Sequence, residues 1–471
     1  MRDVVLILMV VLFQGIAHAQ IPENSETSKK IIPDFYIGFH TGQYVKARYF
    51  PNRPSSPEDK TPYRRLWQGA MVGRLGFAAL PNNWLTLKLG VEATADYNNW
   101  PLRKAFSPYL KVTPHYGFLL HEAYGLFSFL KESPNVALEV ALGQFPYKYN
   151  PEVRDFGEYL FRTGTYPLYI INKFDFPLVR LTGLRLGFNG ATSAKLFDQN
   201  LLSFNIDGLL LTEREVMPFH DFTLAFIGKI NAFKAIELGG GVSFAHLFSV
   251  SDSFTTPKTP ENMYIENEND TGYYTFKGTK VMMRATVDPV FFLRGKEGFL
   301  GDFFGREGLK FYSEIAFIGL ENYPVQGDSI NGNYSFNPYG YDDLKRRRPV
   351  LFGFNIPLWK IIDILAVEFE HLDSPYPNDY KNVVKQGHRP LPVVVDSNEV
   401  YYTPEVYIKD NWKFCVYAKK NIGEHFSMIL QISRDHLGWN VYDSDWNNED
   451  YQEAFVKWDE WAWFFKTEFR F

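Results

Sequence analysis

The carboxy-terminal segment Trp461–Phe471 limits what this chain can fold into. Alternate residues from Trp461 to Phe471 are almost all aromatic, whereas the residues between them end in the charges of Lys466, Glu468 and Arg470. A period of two residues is typical of a β-strand whose two faces meet different surroundings. Two structures satisfy the pattern: a soluble sheet with an apolar core, and a membrane barrel whose apolar face contacts lipid and whose charged face lines a wet lumen.

The same alternation recurs along the rest of the chain. Its clearest example runs from Trp84 to Asp96, where leucine, valine and alanine occupy one face and mainly polar residues occupy the other. Strands are predicted to start near residues 35, 67, 84, 115, 135, 179, 201, 219, 235, 273, 309, 349, 361, 411, 424 and 461. The fold class predicted is therefore all-β, an antiparallel up-and-down barrel of about sixteen strands.

The predicted connections alternate between short and long. Short links are 81–83, 131–134, 231–234, 357–360 and 420–423, and long links are roughly 46–66, 97–113, 147–178, 250–272, 321–347, 372–410 and 437–458. Two links depart from the alternation, a short one near 213–218 and a long one at 289–307. Short turns on one rim and long loops on the other are typical of an outer-membrane barrel, with the turns in the periplasm.

The amino terminus predicts export. Arg2 precedes an apolar run from Val4 to Phe13, and Ala17 and Ala19 supply small residues before a cleavage site at Gln20. We expect residues 1–19 to be a signal peptide and residues 20–471 to form a single barrel domain. The mature chain has no uninterrupted apolar stretch of 18 residues, so that it could span a membrane only as a closed barrel. The predicted location is the outer membrane of a Gram-negative bacterium.

Composition removes several other classes of protein. The formal charge of −5 offers no bulk attraction to nucleic acid, and a single cysteine, Cys415, can form neither an internal disulfide nor a thiolate metal cluster. We expect no metal and no cofactor. Ser433 and Asp435 share a predicted inward face without a histidine paired to them, so no enzymatic activity is predicted. Exposed tryptophan is expected at the strand ends, where its ring suits a membrane interface, at Trp67, Trp84, Trp359, Trp412 and Trp461.

When the apolar set of each strand faces outward, the inward sets become polar. The inward, lumen-facing charges predicted are Arg74, Lys88, Glu92, Asp96, Arg284, Glu314, Glu368, Glu370, Lys466, Glu468 and Arg470. A dry core could not hold so many charges, because each isolated buried charge costs on the order of several kcal/mol and they cannot all be paired. Sixteen strands leave an aqueous channel, and similar numbers of the two signs predict no strong preference for anions or cations.

The long link 147–178 is the predicted constriction. Asn150 followed by Pro151 signals the start of a helix, with Glu152 in its first turn. Both charge signs follow on this helix, at Glu152, Arg154, Asp155, Glu158 and Arg162, and the neighbouring aromatic residues give it an apolar side that could pack on the barrel wall. A structured loop of this length is usually functional.

With sixteen strands, a terminal phenylalanine and a folded loop after the fifth strand, the chain resembles a general bacterial porin. The resemblance implies that the loop bends inward and narrows the channel, and that small hydrophilic solutes pass through it. Phe469 and Phe471, on an alternating last strand, are similar to the signal that the barrel assembly machinery reads, which implies that machinery as a transient partner.

Two other functions fit the same pattern. Long loops on one rim would also suit a surface binding or adhesion protein anchored by its barrel, and the many aromatic residues would suit a channel specific for oligosaccharides. The basic run 345–348 could bind lipopolysaccharide phosphate or could be a solvated strand start. Lipid, lipopolysaccharide and small solutes are the expected contacts, and assembly into a homo-oligomer is left open.

Overall fold

Sixteen antiparallel strands close into one barrel, in which each strand is hydrogen-bonded to the next along the chain and the last is bonded to the first. The computed structural model describes residues 30–47, 63–98, 115–129, 135–163, 166–167, 179–196, 199–212, 221–233, 235–251, 253, 263–267, 270–273, 277–291, 303–304, 307–320, 344–359, 361–373, 411–436, 438–442, 449–453, 455 and 458–471. The predicted signal peptide lies outside these residues.

The barrel strands follow one another around the ring in chain order. They are β1 (Lys30–Ala47), β2 (Tyr63–Asn82), β3 (Leu85–Asn98), β4 (His115–Phe129), β5 (Val136–Tyr147), β6 (Val179–Ala191), β7 (Leu202–Thr212), β8 (Phe222–Ala232), β9 (Ile236–Phe248), β10 (Gly278–Val287), β11 (Phe311–Ile318), β12 (Val350–Asn355), β13 (Ile364–His371), β14 (Trp412–Ile422), β15 (Phe426–Arg434) and β16 (Trp461–Arg470). All sixteen predicted strands are confirmed, and each starts within five residues of its predicted position.

The first and last strands close the barrel along most of their length. Tyr36 pairs with Arg470 at one end and Lys46 pairs with Trp461 at the other. Next to this ladder the backbone N–H of Phe35 donates to the carbonyl of Phe471 at 3.0 Å, and the return bond is 2.9 Å long. Closure gives every barrel strand two neighbours, so that no strand edge is left to pair with another chain.

Two of the predicted short links, 81–83 and 420–423, are tight turns on one rim of the barrel, and the links predicted at 231–234 and 357–360 join strands on the same rim. Between β2 and β3 the Asn82 side chain accepts the backbone N–H groups of Trp84 and Leu85, at 3.1 and 2.8 Å. Between β14 and β15 the chain reverses at Gly423, whose φ of 66° favours glycine. The links predicted at 131–134 and 213–218 lie outside the described residues. The start of β1 at Lys30 and the residue after β16, Phe471, also lie on this rim.

The outer face of the barrel is apolar. More than half of the side-chain surface is exposed for Leu89, Phe118, Leu142, Ile206, Ile230, Leu238 and Met283. A soluble protein rarely exposes so continuous an apolar surface, whereas lipid solvates it, so the barrel is a transmembrane one. Trp84 and Trp359 are exposed near the turn rim, and Trp67 and Trp412 are exposed near the loop rim, as expected for residues at the two interfaces.

The remaining described elements are short. Two-stranded sheets pair Arg162–Thr163 with Tyr166–Pro167, Lys195–Leu196 with Gln199–Asn200, Met263–Asn267 with Asp270–Tyr273, and Gly438–Tyr442 with Glu449–Glu453, and 3-10 helices occupy Tyr159–Phe161 and Leu344–Arg347. Within the described ranges no helix is long and apolar enough to cross a membrane.

Candidate functional site

The segment between β5 and β6 lies inside the barrel. We call residues 148–163 the inner loop. Val153, Glu158 and Tyr159 in it have no exposed surface. Their contacts reach β11 and β13, which stand on the far side of the ring from β5, so the inner loop crosses the lumen.

The α-helix predicted from Asn150 and Pro151 does not form. The inner loop instead turns at residues 151–152, bends through 154–156 and has the 3-10 helix Tyr159–Phe161 as its one helical segment, followed by the short strand Arg162–Thr163. The two residues that precede this helix have positive φ angles, which are 78° for Gly157 and 60° for Glu158. The prediction was wrong because the loop's amide hydrogens are taken by carboxylates of the barrel wall and not by carbonyls of a helix.

Glu314 on β11 is the first of three carboxylates of the barrel wall that bind the inner loop. It accepts the Tyr149 hydroxyl at 2.7 Å, the Asn150 side-chain amide at 2.8 Å and the Tyr159 backbone N–H at 3.0 Å. The Tyr149 hydroxyl oxygen in turn accepts the backbone N–H of Leu160 at 3.2 Å. One wall residue therefore connects both ends of the buried part of the loop.

Glu368 on β13 is the second. Its carboxylate accepts three consecutive backbone amides of the inner loop, from Arg154 at 2.5 Å, Asp155 at 2.9 Å and Phe156 at 3.1 Å. It also accepts the hydroxyl of Tyr312, on β11, at 2.9 Å. Hydrogen bonds to a charged acceptor are the stronger kind, and here they are shielded from water.

Glu370, two residues further along β13, is the third. It accepts the Tyr159 hydroxyl at 2.5 Å and pairs with the imidazole of His436, just beyond the end of β15. The side-chain amine of Lys280, on β10, donates to the backbone carbonyls of Tyr159 and Arg162. The loop is thus held through donors and acceptors on three strands, β10, β11 and β13.

The apolar side of the inner loop packs against the barrel wall. Phe156, Leu160 and Phe161 belong to one buried cluster with inward residues of several strands. Those wall residues include Leu209, Leu211, Ala225, Ile227, Met282, Ala316 and Ile318. The prediction that the inward sets are polar was wrong for these positions on β7, β8, β10 and β11, because here the inward face meets the loop and not water.

The five charged residues predicted for the constriction fall into two groups. The side chains of Glu152 and Arg154 are each 15% exposed, and Glu152 meets Lys310, near the turn rim, at 3.2 Å. Asp155, Glu158 and Arg162 are buried instead. Arg162 donates to the backbone carbonyl of Asp155 at 2.6 Å, so this second group holds the shape of the loop.

Burial changes the acid–base behaviour of the loop carboxylates. Burial and the nearby charge of Glu314 raise the pKa of Glu158 to about 8. Burial and the neighbouring Asp435 and Glu368 raise the pKa of Asp155 well above its usual range. Burial together with the charge of Arg154 lowers the pKa of Lys148 to about 8.

Each charged residue predicted to line the lumen contacts a charged, polar or aromatic side chain where the structure describes its own side chain. Glu92 contacts Arg74 and, at 3.3 Å, Arg180 of β6, and Arg284 contacts Glu237 of β9 at 2.5 Å. The Lys88 amine lies 5.8 Å from the ring centre of Tyr124. Lys466, Glu468 and Arg470 form one cluster near the turn rim. The side chain of Asp96 lies outside the described residues.

Two contributors, His436 and Tyr36, were not identified from the sequence. His436 and Asp435 are expected to face opposite ways if the strand continues, but β15 ends at Arg434 and both side chains are buried. Asp435 accepts the Ser433 hydroxyl at 2.7 Å, while His436 pairs with Glu370. Tyr36 was also missed, although its alternation with Phe35 and Ile37 places it on the inward face of β1.

No protein-family model and no curated protein matches the sequence. Among solved structures, a triple mutant of the Rhodopseudomonas blastica porin aligns over 94% of this chain and 100% of its own, at 7% identity and a TM-score of 0.37. Salmonella typhi OmpF in complex with daunomycin aligns over 96% of this chain and 100% of its own, at 8% identity and a TM-score of 0.43.

The architecture is assigned from the chain's own strands. A closed barrel of sixteen antiparallel strands with an apolar exterior and an inner loop after the fifth strand is the porin-type barrel that the sequence resembles. The feature that bears on function is the position of the inner loop inside the barrel.

Proposed function

We propose that this protein is a pore of the bacterial outer membrane through which small hydrophilic solutes diffuse. The observation that carries the proposal is the one-sided placement of the inner loop. Its apolar cluster lies along β5–β8 and β10–β12, with Cys415 and Tyr417 of β14 and Tyr124 and Leu126 of β4 at its margins. Lys88, Lys419 and Lys466, on β3, β14 and β16, stay outside the cluster with partly exposed side chains. Partly exposed charges on a barrel wall fit a water-filled passage.

Within this proposal Glu152 and Arg154 line the narrowest part of the passage. They are the two charged side chains of the predicted constriction that keep exposed surface. Asp155, Glu158 and Arg162 act indirectly, by holding the loop in place. The same proposal places the protein in the outer membrane, in contact with lipopolysaccharide. It includes recognition of Phe469 and Phe471 by the assembly machinery, and it leaves open whether the protein forms a homo-oligomer.

Conductance of the purified protein in a planar lipid bilayer tests the proposal. Steady ohmic steps are expected, and a variant without residues 150–165 should give larger steps because the material that crosses the lumen is gone. A folded barrel that stays silent would overturn the pore and would favour an adhesion protein that uses its barrel as an anchor. Identical steps with and without the loop would remove the loop from the passage.

An oligosaccharide-specific channel predicts a different result in the same assay. Linear oligosaccharides would interrupt the ion current at micromolar to millimolar concentrations, whereas a diffusion pore shows only the weak, size-dependent reduction that any small solute causes. The measurement separates the two functions without a further variant.

A further inference from the structure

Inward side chains near the loop rim are buried on the side of the barrel that carries the proposed passage. Tyr44, near the end of β1, and Phe464, near the start of β16, have only 5% and 7% of their surface exposed. Further along β16, toward the turn rim, Lys466 is partly exposed and the Arg470 side chain is 63% exposed, while Glu468 between them is covered by its ion pairs with both. Inward rings in the wall of a wide, wet lumen would be exposed, so other groups of the protein cover Tyr44 and Phe464.

Phe455 supplies part of this cover. It lies in the link between β15 and β16, outside the barrel strands, and none of its surface is exposed. Its ring centre lies 5.5 Å from that of Tyr44, and the Tyr44 ring meets the Phe464 ring edge-on at 6.1 Å. We call Tyr44, Phe455 and Phe464 the aromatic band. Aromatic rings pack at these distances inside proteins, so the link folds inward against the barrel wall.

The neighbouring wall is shaped to receive these rings. Gly42 faces the lumen on β1 beside Phe464, and a β-carbon on Gly42 would overlap the Phe464 ring. The ring of His40, the next inward residue of β1 toward the turn rim, has its centre 5.1 Å from that of Phe464. On β2 the inward Ala70, which pairs with His40, and Val72 are buried as well. The buried inward surface therefore extends over β16, β1 and β2.

An anchor of the link stands beside an anchor of the inner loop. The Lys413 amine, on β14, donates to the backbone carbonyl of Phe455. Lys413 pairs across the sheet with Glu370 of β13, which accepts the Tyr159 hydroxyl of the inner loop. The link and the inner loop are thus fastened at adjacent positions of the wall, and a solute that enters from the loop rim has to pass between them.

Charged groups border the aromatic band on both sides. Toward the loop rim the Lys46 amine pairs with the Asp459 carboxylate, and the next residue, Glu460, is buried. Toward the turn rim the next inward residue of β16 is Lys466. Asp96, whose side chain lies outside the described residues, pairs with Ala70 at the level of the band. One level of rings therefore separates two charged levels of the wall.

We propose that the aromatic band is a second narrowing of the passage, at the loop rim, and that it limits the size of the solutes that enter from that side. The inference rests on the proposed pore and adds a feature that determines which solutes pass. The band acts in series with Glu152 and Arg154, and it differs from them in being aromatic where they are charged. Apolar constrictions control passage by excluding water, so bulky hydrated solutes are held back before they reach the inner loop.

Polyethylene glycols of graded size, added to one side of a planar bilayer at a time, measure the narrowing. A polymer that enters the pore lowers its conductance, whereas an excluded polymer does not, so each side of the pore has its own size limit. The double variant Phe455→Ala with Phe464→Ala should give larger current steps and a higher limit from one side, with the other limit unchanged. A variant without residues 150–165 should raise the limit from the opposite side, because the aromatic band remains.

Phe465→Ala is the matched control, since Phe465 follows Phe464 on β16 but faces outward, paired with the exposed Leu430. It should leave the steps and both size limits as they are in the wild type. If the double variant fails to fold, Phe455→Ala alone, which changes no barrel strand, should still raise the same limit. Ohmic steps whose size limits respond neither to Phe455→Ala nor to the double variant would overturn the inference and leave the pore intact. A silent barrel would overturn the proposed function and the inference with it.

Discussion

Glu368 accepts a hydrogen bond from the backbone N–H of Asp155 at 2.9 Å, although the two residues are 213 positions apart in the chain. The amides of Arg154 and Phe156, on either side of Asp155, donate to the same carboxylate. A wall residue thereby determines the path of the loop at the centre of the barrel. The three hydrogen bonds also offset the cost of burying the Glu368 carboxyl group completely.

Replacing Glu368 with alanine should release the inner loop. Three buried amides and the Tyr312 hydroxyl would lose their acceptor, at about 1–3 kcal/mol for each group left unsatisfied. We expect larger and noisier current steps in a planar bilayer, since a detached loop no longer holds one position. Glu139→Ala is the control, because Glu139 faces the lumen on β5 and contacts only the wall residue Arg185 among the ion pairs described. Equal conductance and noise in both variants would show that Glu368 does not hold the loop.

Gly157 allows the inner loop to lie against the wall. Its φ of 78° disfavours any side chain, and a β-carbon there would stand 3.0 Å from atoms of Glu314, Leu351 and Val153. Gly157→Ala should therefore lower thermal stability and disturb the current. Gly423→Ala separates the cost of the backbone conformation from the cost of the clash. The φ of Gly423, 66°, is similar, but a β-carbon there would have no atom within 4 Å. Both variants carry the backbone cost of about 1–2 kcal/mol, and only Gly157→Ala adds the clash. A larger effect from Gly423→Ala would contradict this account.

The barrel could be predicted from the sequence because strand alternation is a local property. In the segment Trp461–Phe471 most residues show by their polarity which face they occupy, with the inward Phe464 and the outward Thr467 as exceptions. The observed pairing of β16 with β1 follows once the barrel closes. The inner loop could not be predicted in the same way. The groups that replace its helical hydrogen bonds, Glu314 and Glu368, lie more than 150 residues away and carry no local signal.

The sequence contained one indication that part of the inner barrel wall is covered. Leu209, Leu210 and Leu211 interrupt the alternation of β7, so both faces of that strand are apolar toward its end. A strand that is apolar on both faces is covered on both faces. Lipid covers the outer face, and the cover inside the barrel is the inner loop.

Loop docking should weaken as pH rises from about 5 to 8. Burial and Glu314 raise the pKa of Glu158 to about 8, above the 4.5 usual for glutamate, although Lys148 and the amides of Asn150 and Tyr149 act against the shift. A group with a raised pKa in the docked state contributes fully below its ordinary pKa, and that contribution is lost as pH rises through the docked value. Asp155 shifts in the same direction.

Current recordings over this range check the expectation, with fluctuations that increase from pH 5 to pH 8. Lys148, whose pKa is lowered to about 8, favours docking only as pH rises beyond that value and so does not mask the effect. Glu158→Gln keeps an acceptor oxygen without a titrating proton and should flatten the dependence. The control is Glu152→Gln, because Glu152 is partly exposed at the loop tip. If Glu152→Gln flattened the profile and Glu158→Gln did not, the assignment to Glu158 would fail.

Phe469→Asp should impair barrel assembly far more than Glu468→Ala. Phe469 faces outward on β16, where its ring centre lies 4.7 Å from that of Phe426, and it pairs with Ile37 across the closing seam. An aspartate there would place a charge in lipid at up to about 2 kcal/mol and would lose an aromatic contact of about 0.5–1.5 kcal/mol. Glu468→Ala changes a lumen residue whose former partners can be solvated by water. The fraction of heat-modifiable, folded protein in outer-membrane fractions measures the difference, and equal fractions for the two variants would contradict the assignment of faces.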